Sequence, residues 1–172
     1  RPGPVHIEVT LERTGKSMTT TSARLVQEGR VLQVAHAASS TTRPGLAYDD
    51  HVRPRDADPG DTPRFEFSGG VGHFQNADVR LDPEAVLFGG GHEALVAAWL
   101  RPLEGEPVDA AWLVAMGDLL PPAIFSRTTG PVAAATIEYV VHLATAEPSV
   151  PPGEYVYLSC RSPLSNEGFA VE

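Results

Sequence analysis

The chain has 172 residues, 42% of them hydrophobic, and a formal net charge of −9. That length supports one good core or two small ones, and the acidity excludes a nucleic-acid-binding surface, which needs a basic stripe. No apolar run reaches the roughly 18 residues of a membrane span, and a lone cysteine, Cys160, excludes an internal disulfide framework and fits a reducing, cytoplasmic compartment.

The first forty residues read as three strands. Val5, Ile7, Val9 and Leu11 alternate with polar residues and share one face. Thr14-Gly15-Lys16 turns the chain into a second strand from about Ser17 to Gln27. Glu28-Gly29 then makes a hairpin into Val31–Ala35. The expectation is an antiparallel meander with one wet face and one buried face. Residues Ser40 to Arg64 hold four prolines and five aspartates with little apolar periodicity, so they read as a linker or surface crossover.

The second half opens with a strand-like run, Val71–Leu81, a glycine turn at Gly89-Gly-Gly91, and a strand over Glu93–Arg101. A helix follows over Ala110–Leu120, with Asp109 as N-cap and Pro121-Pro122 as terminator. It is apolar nearly all round, which predicts burial. After a polar turn, Arg127-Thr-Thr-Gly130, three further strands are expected: Val132–Leu143, Glu154–Arg161 and Gly168 to the end. One buried helix followed by antiparallel strands is an α+β layout with the sheet wrapped around the helix. The two halves echo one another. Pro2-Gly3, a strand, Arg13, a turn and a strand parallel Pro152-Gly153, a strand, Arg161, a turn and a strand, suggesting two copies of one fold.

Asp118 breaks a local rule. It ends an apolar helix, so its charge meets the negative end of the helix dipole with no countercharge among its neighbours. Rule-breaking positions tend to be functional or strained. On the strand expected over Val132–Leu143, Thr136, Glu138, Val140 and His142 share one face, and Ile137, Tyr139, Val141 and Leu143 the other. A helix laid across the first face would bring Asp118 to Thr136, and an aspartate and a hydroxyl can hold one water between them. Burial of Asp118 would make its carboxylate a stronger base. The structural alternative is that Asp118 accepts backbone hydrogen bonds from the Arg127–Gly130 turn, and that Thr136 is an ordinary strand residue. Glu138 and His142 form either a catalytic pair or part of a solvated face.

Other chemistries lack their patterns. The six histidines show no metal-ligand spacing, and the glycine clusters at 69–72 and 89–91 match no phosphate-binding fingerprint. There is no G-x-S-x-G elbow. Cys160, mid-strand and without an adjacent base, reads as a small core hydrophobe. Trp99 and Trp112 read as packing residues, with Trp99 a candidate border of a ligand groove.

Several segments resemble a known family. Arg13-Thr-Gly-Lys-Ser17 and Ala23-Arg-Leu-Val-Gln27 look like the later strands of a first hotdog domain. Ala98-Trp-Leu-Arg-Pro102, the run from Asp109 to Asp118, Pro121-Pro122 and Ala135-Thr-Ile-Glu138 look like a second. Together they resemble the double-hotdog acyl-CoA thioesterase family, the thioesterase II-like group. The resemblance implies a partial N-terminal hotdog over 1–40, a crossover over 41–66 and a C-terminal hotdog over 67–172 lacking its last strand. In the family an aspartate on the second domain's central helix acts with a threonine and a glutamine to position a water on the thioester carbonyl. Asp118 matches the aspartate and Thr136 the threonine. The glutamine would follow Glu172, and the first domain's opening strand and helix would precede Arg1.

The resemblance therefore implies hydrolysis of an acyl-CoA or related acyl thioester, without metal or redox cofactor. It implies a homo-oligomer, no nucleic acid and no membrane span. Arg101 and Arg127 are candidates to meet coenzyme A phosphates. The rival readings are a noncatalytic acyl-thioester-binding hotdog protein and a hotdog dehydratase. The dehydratase pairs its aspartate with a nearby histidine, and none lies between Asp118 and His142.

Overall fold

The computed structural model describes residues 2–50, 59–66, 72–145 and 147–172. These fall into two compact units, Arg1–His51 and Val52–Glu172. In the first, β1 (His6–Thr14), β2 (Met18–Gln27) and β3 (Arg30–Ser40) form an antiparallel meander with β2 in the centre. The β2–β3 turn works because Glu28 and Gly29 both adopt positive φ, 49° and 76°, which matches the twist of the flanking strands. The register pairs Ile7 with Leu25 and Val9 with Ala23, so the expected apolar face exists. It is not buried, however. Ile7, Val9 and Leu11 remain 69%, 65% and 63% exposed. A strand pattern selects which side chains share a face, but burial needs a second layer on that face. Residues 41–50 carry no regular structure and are exposed, and 51–58 lie outside the described residues.

The second unit is built on β4 (Ala77–Leu81), β5 (Leu95–Pro102) and β6 (Val156–Arg161), antiparallel with β5 in the centre. Only the end of the run expected as a strand from Val71 is one. Gly72–Asn76 forms a 3₁₀ turn, and Val71 lies outside the described residues. The last expected strand, from Gly168, is β8 (Phe169–Val171), and it pairs with a short, unexpected strand, β7 (Leu164–Asn166), in a separate hairpin turning through Glu167 and Gly168. The echo between the halves does not extend to pairing. β1 pairs with β2, whereas its counterpart β6 pairs with β5.

Alternation along β5 divides the sheet into two unlike faces. Val96, Ala98 and Leu100 are fully buried. Ala98 and Leu100, with Ala77 and Val79 from β4, meet Val108, the helix residue Met116 and Leu119 just past the helix end in one cluster, while Val96 packs with Ala94 and Ala123 in a second. The opposite face is polar and aromatic. Asp78 lies across from Arg101, and Arg80 beside Trp99 and Tyr157. Asp78 is buried and accepts from the Tyr155 hydroxyl at 2.6 Å, from Arg101 Nη2 at 3.0 Å and from Arg80 Nε at 3.3 Å. Arg101 also stacks 4.4 Å from the Tyr155 ring centroid and donates to the Gly153 carbonyl at 2.9 Å. Beside this network, Tyr157 donates to buried Asp82 at 2.9 Å.

The helix α1 (Ala110–Gly117) starts where the sequence predicts. Asp109 accepts from the Trp112 amide at 2.9 Å, satisfying one of the free N–H groups of the first turn. It ends at Asp118, and Pro121 disfavours helical backbone at Leu120. The expected burial is confined to one side: Met116 is the helix's buried residue, while Ala111, Val114 and Ala115 are exposed. No helix among the described residues is long and apolar enough to cross a membrane.

Burial alone would raise the pKa of Asp78, but the Tyr155 hydroxyl and the Arg80 and Arg101 guanidiniums outweigh it and hold its carboxyl below the ordinary 3.8. A carboxyl depressed in the folded state contributes stability that is complete above its unfolded pKa and is lost as pH falls through the folded value. Asp78→Asn is therefore expected to lower the urea midpoint near neutral pH and to flatten the acid decline below about pH 4, the unfolded carboxylate range. Asp78→Ala should cost about 2–3 kcal/mol, because two arginines and a phenol lose their shared acceptor. Urea titrations across pH check both.

Candidate functional site

The site follows from how the helix sits. Residues two apart on an α-helix project about 200° apart. With Met116 turned into the sheet, Asp118 is turned away from it, and Asp118 is exposed. The helix tightens as it ends. The Asp118 amide donates to the Ala115 carbonyl at 3.3 Å, and the Leu119 amide to Met116 at 3.0 Å, both i→i−3 bonds. The exposed side of this last turn opens on a cleft of about 600 Å³. Ala111, Val114, Ala115 and Leu119 form its apolar floor, with Trp112, Asn76, Tyr139 and Asp118 around it.

The segment 131–143 crosses this end of the helix. The structure corrects the strand expected over Val132–Leu143: the segment has no ladder partner among the described residues and is almost entirely exposed. It bends at Ile137, which is 81% exposed. The bend overturns the two-face reading, because Thr136 and Tyr139, of opposite parity, both reach the helix. Thr136 Oγ1 donates to Asp118 Oδ1 at 2.9 Å, and the Tyr139 hydroxyl donates to the Val114 carbonyl at 2.8 Å. The pair singled out in the sequence, Asp118 and Thr136, is thus in direct contact, on a path other than a strand.

The alternative partner for Asp118, the Arg127–Gly130 turn, donates no backbone hydrogen bond to it among the described residues. Arg127 donates its amide to Ile124, Thr128 its hydroxyl to Phe125, and the Thr128 carbonyl accepts from Gly90. Asp118 Oδ2 has no hydrogen-bond partner among the described residues. Asp118 is exposed, so the burial expected of it is not seen among the described residues. Glu138 and His142 are both exposed and no hydrogen bond or ion pair joins them. Arg101 is committed to Asp78 and Gly153, on the sheet face away from the helix, and Arg127 is exposed. Cys160 is half-buried in β6; burial and then the Glu172 carboxylate push its thiol up to about 11, so it stays protonated and unreactive near neutral pH.

Two features escaped the sequence reading. Tyr139 was expected on the far face of a strand, yet its ring walls the cleft and its hydroxyl touches the helix. Burial and then the Asp118 charge hold that hydroxyl above the usual tyrosine range, so it remains a donor. Gly117 is the second. A Cβ there would fall on the Tyr139 hydroxyl, so only glycine leaves the space that the phenol occupies. A glycine one residue before the anomalous aspartate was the available signal of close approach.

Comparison with known proteins bears on this site. The model of the acyl-CoA thioesterase C-terminal domain matches residues 49–172, which carry the sheet, helix and cleft. The chain belongs to the acyl-CoA thioesterase family. Its fold is the α+β hotdog. A hot dog fold protein of unknown function from Alicyclobacillus acidocaldarius superposes with a TM-score of 0.67 at 27% identity, covering 75% of this chain and 48% of that one. An acyl-CoA thioesterase II from Mycobacterium marinum superposes with a TM-score of 0.62 at 20% identity, covering 96% of this chain and 64% of that one. This chain thus spans about half to two thirds of the length of these relatives. No curated protein sequence matches it.

The contact between Gly117 and Tyr139 gives a stability test. In an open helix end, Gly→Ala stabilises by up to about 1 kcal/mol through propensity. With Tyr139 in place, Gly117→Ala should show none of that gain, because the phenol is displaced and its hydrogen bond, worth about 1 kcal/mol, is lost. In a Tyr139→Ala background the gain should reappear. Urea denaturation of the four variants reads the coupling, and equal effects in both backgrounds would refute the close approach.

Proposed function

We propose that the protein hydrolyses an acyl-CoA or a related acyl thioester by direct attack of water. The observation that carries this reading is the 2.9 Å hydrogen bond from Thr136 Oγ1 to Asp118 Oδ1 at the rim of an apolar cleft. Having donated its proton to the carboxylate, the Thr136 oxygen is left as an acceptor. Asp118 Oδ2 is a second acceptor a short distance away. A water placed between them donates one hydrogen to each and turns a lone pair outward, toward a thioester carbonyl lying over the cleft. As the oxygen attacks the carbonyl carbon, its proton passes to Asp118, which acts as general base. Collapse of the tetrahedral intermediate breaks the C–S bond, and the departing thiolate takes up a proton, giving free acid and thiol.

The acyl chain lies on the apolar floor of Ala111, Val114, Ala115 and Leu119, where burial of methylene groups contributes about 0.8 kcal/mol each. Bound substrate would also remove water from Asp118, which is exposed without it, and so supply the desolvation that the free protein lacks. In this reading 1–40 belong to a first hotdog, 41–66 cross over and 67–172 form the second. The reaction is cytoplasmic, and the protein is a homo-oligomer associating through sheet edges; β1 and β3 each leave one edge without a ladder partner among the described residues.

Thiol release from acyl-CoAs of graded chain length, with the full-length protein, tests the reaction. Turnover is expected, and Asp118→Asn should lower kcat by at least about 100-fold while the fold is kept, the usual scale for loss of a general base. Thr136→Val should lower kcat by about 10-fold, the scale of one lost hydrogen bond in the transition state. Tight acyl-CoA binding without turnover on any chain length would replace hydrolysis with the noncatalytic binding reading. Unchanged kcat in Asp118→Asn would remove the aspartate from the mechanism.

A further inference from the structure

We infer that Tyr139 is a positioning residue for the Asp118–Thr136 pair: its hydroxyl, seated over Gly117 on the Val114 carbonyl, holds the bend at Ile137 so that Thr136 reaches Asp118. This rests on the hydrolysis just proposed and adds to it the element that keeps the site assembled.

A residue in an extended, unpaired segment has no ladder to set its position, and fixing it costs about 1–2 kcal/mol of backbone entropy per residue. Residues 131–140 are all exposed and carry no regular structure. Two side-chain bonds tie this stretch to the helix end, one from Thr136 and one from Tyr139, three residues apart on either side of the bend. They are unequal. Both are exposed to water, but the Thr136 bond joins a single hydroxyl to a side-chain carboxylate that can rotate. The Tyr139 bond goes to a backbone carbonyl, an acceptor that cannot rotate away, in the helical turn that also carries the buried Met116 two residues on. Its ring also packs where the glycine at 117 leaves room and forms part of the cleft wall. The rigid anchor is therefore Tyr139, and Thr136 is placed by it.

The arrangement has a chemical use. The water site needs the Thr136 oxygen and Asp118 Oδ2 at a set separation, and a shift of about 1 Å can cost as much as 100-fold in rate. Tyr139 does not touch the water in this scheme. It acts through Thr136 alone, which separates it from a second base or an oxyanion donor.

Tyr139→Phe keeps the ring and the cleft wall and deletes the hydroxyl. With the full-length protein we expect kcat for the best acyl-CoA to fall about 10-fold and KM to change by less than about 2-fold, because the acyl floor is intact. The same substitution in a Thr136→Val background should lower kcat by less than about 2-fold, since the group it positions is gone. A second measurement needs no turnover. The γ-methyl resonance of Thr136 should shift on Asp118→Asn in the parent protein and lose that response in Tyr139→Phe. Retention of the response in Tyr139→Phe overturns the positioning role, whether or not the protein is a hydrolase. Wild-type kcat in Tyr139→Phe, or an equal fall in both backgrounds, overturns it likewise. Loss of the methyl response with no turnover in the parent supports the positioning role and rejects the hydrolysis.

Discussion

Everything at the site depends on how α1 is seated on the sheet. Met116 and Leu119 enter a core closed by Ala77, Val79, Ala98, Leu100 and Val108. Deleting a side chain of this kind from such a core costs about 2–5 kcal/mol, so the rotation of the helix about its axis is strongly determined. Once Met116 points inward, helical geometry turns Val114 and Asp118 to the open side. The aspartate needs no specific interaction to be displayed. Packing of its neighbours displays it among the residues that line the cleft.

The sheet complements this with its two unlike faces. The helix-facing side of β5 is fully buried and apolar, with small Ala98 between Val96 and Leu100. The far side carries Asp78, Arg80, Arg101, Tyr155, Tyr157 and Trp99, linked by hydrogen bonds and ring contacts. A buried carboxylate is tolerated there because each oxygen has charged or phenolic donors; removing those donors would leave an unpaired buried charge. One face thus holds the helix, and the other is a polar layer in which Arg101 bonds Asp78 and the Gly153 carbonyl.

Elements governed by short-range chemistry were legible from the residues. Asp109 three residues before Trp112, an unbroken apolar run and Pro121-Pro122 define the helix to within a few residues. Period-two alternation and the Glu28-Gly29 turn define the N-terminal meander and its register. The anomaly of a charge at a helix C-terminus picked out Asp118, and side-chain parity along the following run offered Thr136 as its partner, as the resemblance also implied. These signals are local: capping, turn conformation and side-chain parity act within a few residues and need no distant partner.

The parts that misread all depend on what lies across from them. Val132–Leu143 has the composition of a strand, but a strand exists only where another offers its backbone groups, and two side-chain hydroxyls hold this segment instead. Ile7, Val9 and Leu11 alternate correctly and are still exposed, since parity cannot say whether a layer covers a face. The helix composition predicted envelopment, yet one stripe alone found a core. The place of Tyr139 depends on a missing Cβ at Gly117, 22 positions earlier in the chain. Local chemistry settles the elements and points to the aspartate; contacts between distant segments settle which face is covered, which run is a strand and which hydroxyls meet at the end of the helix.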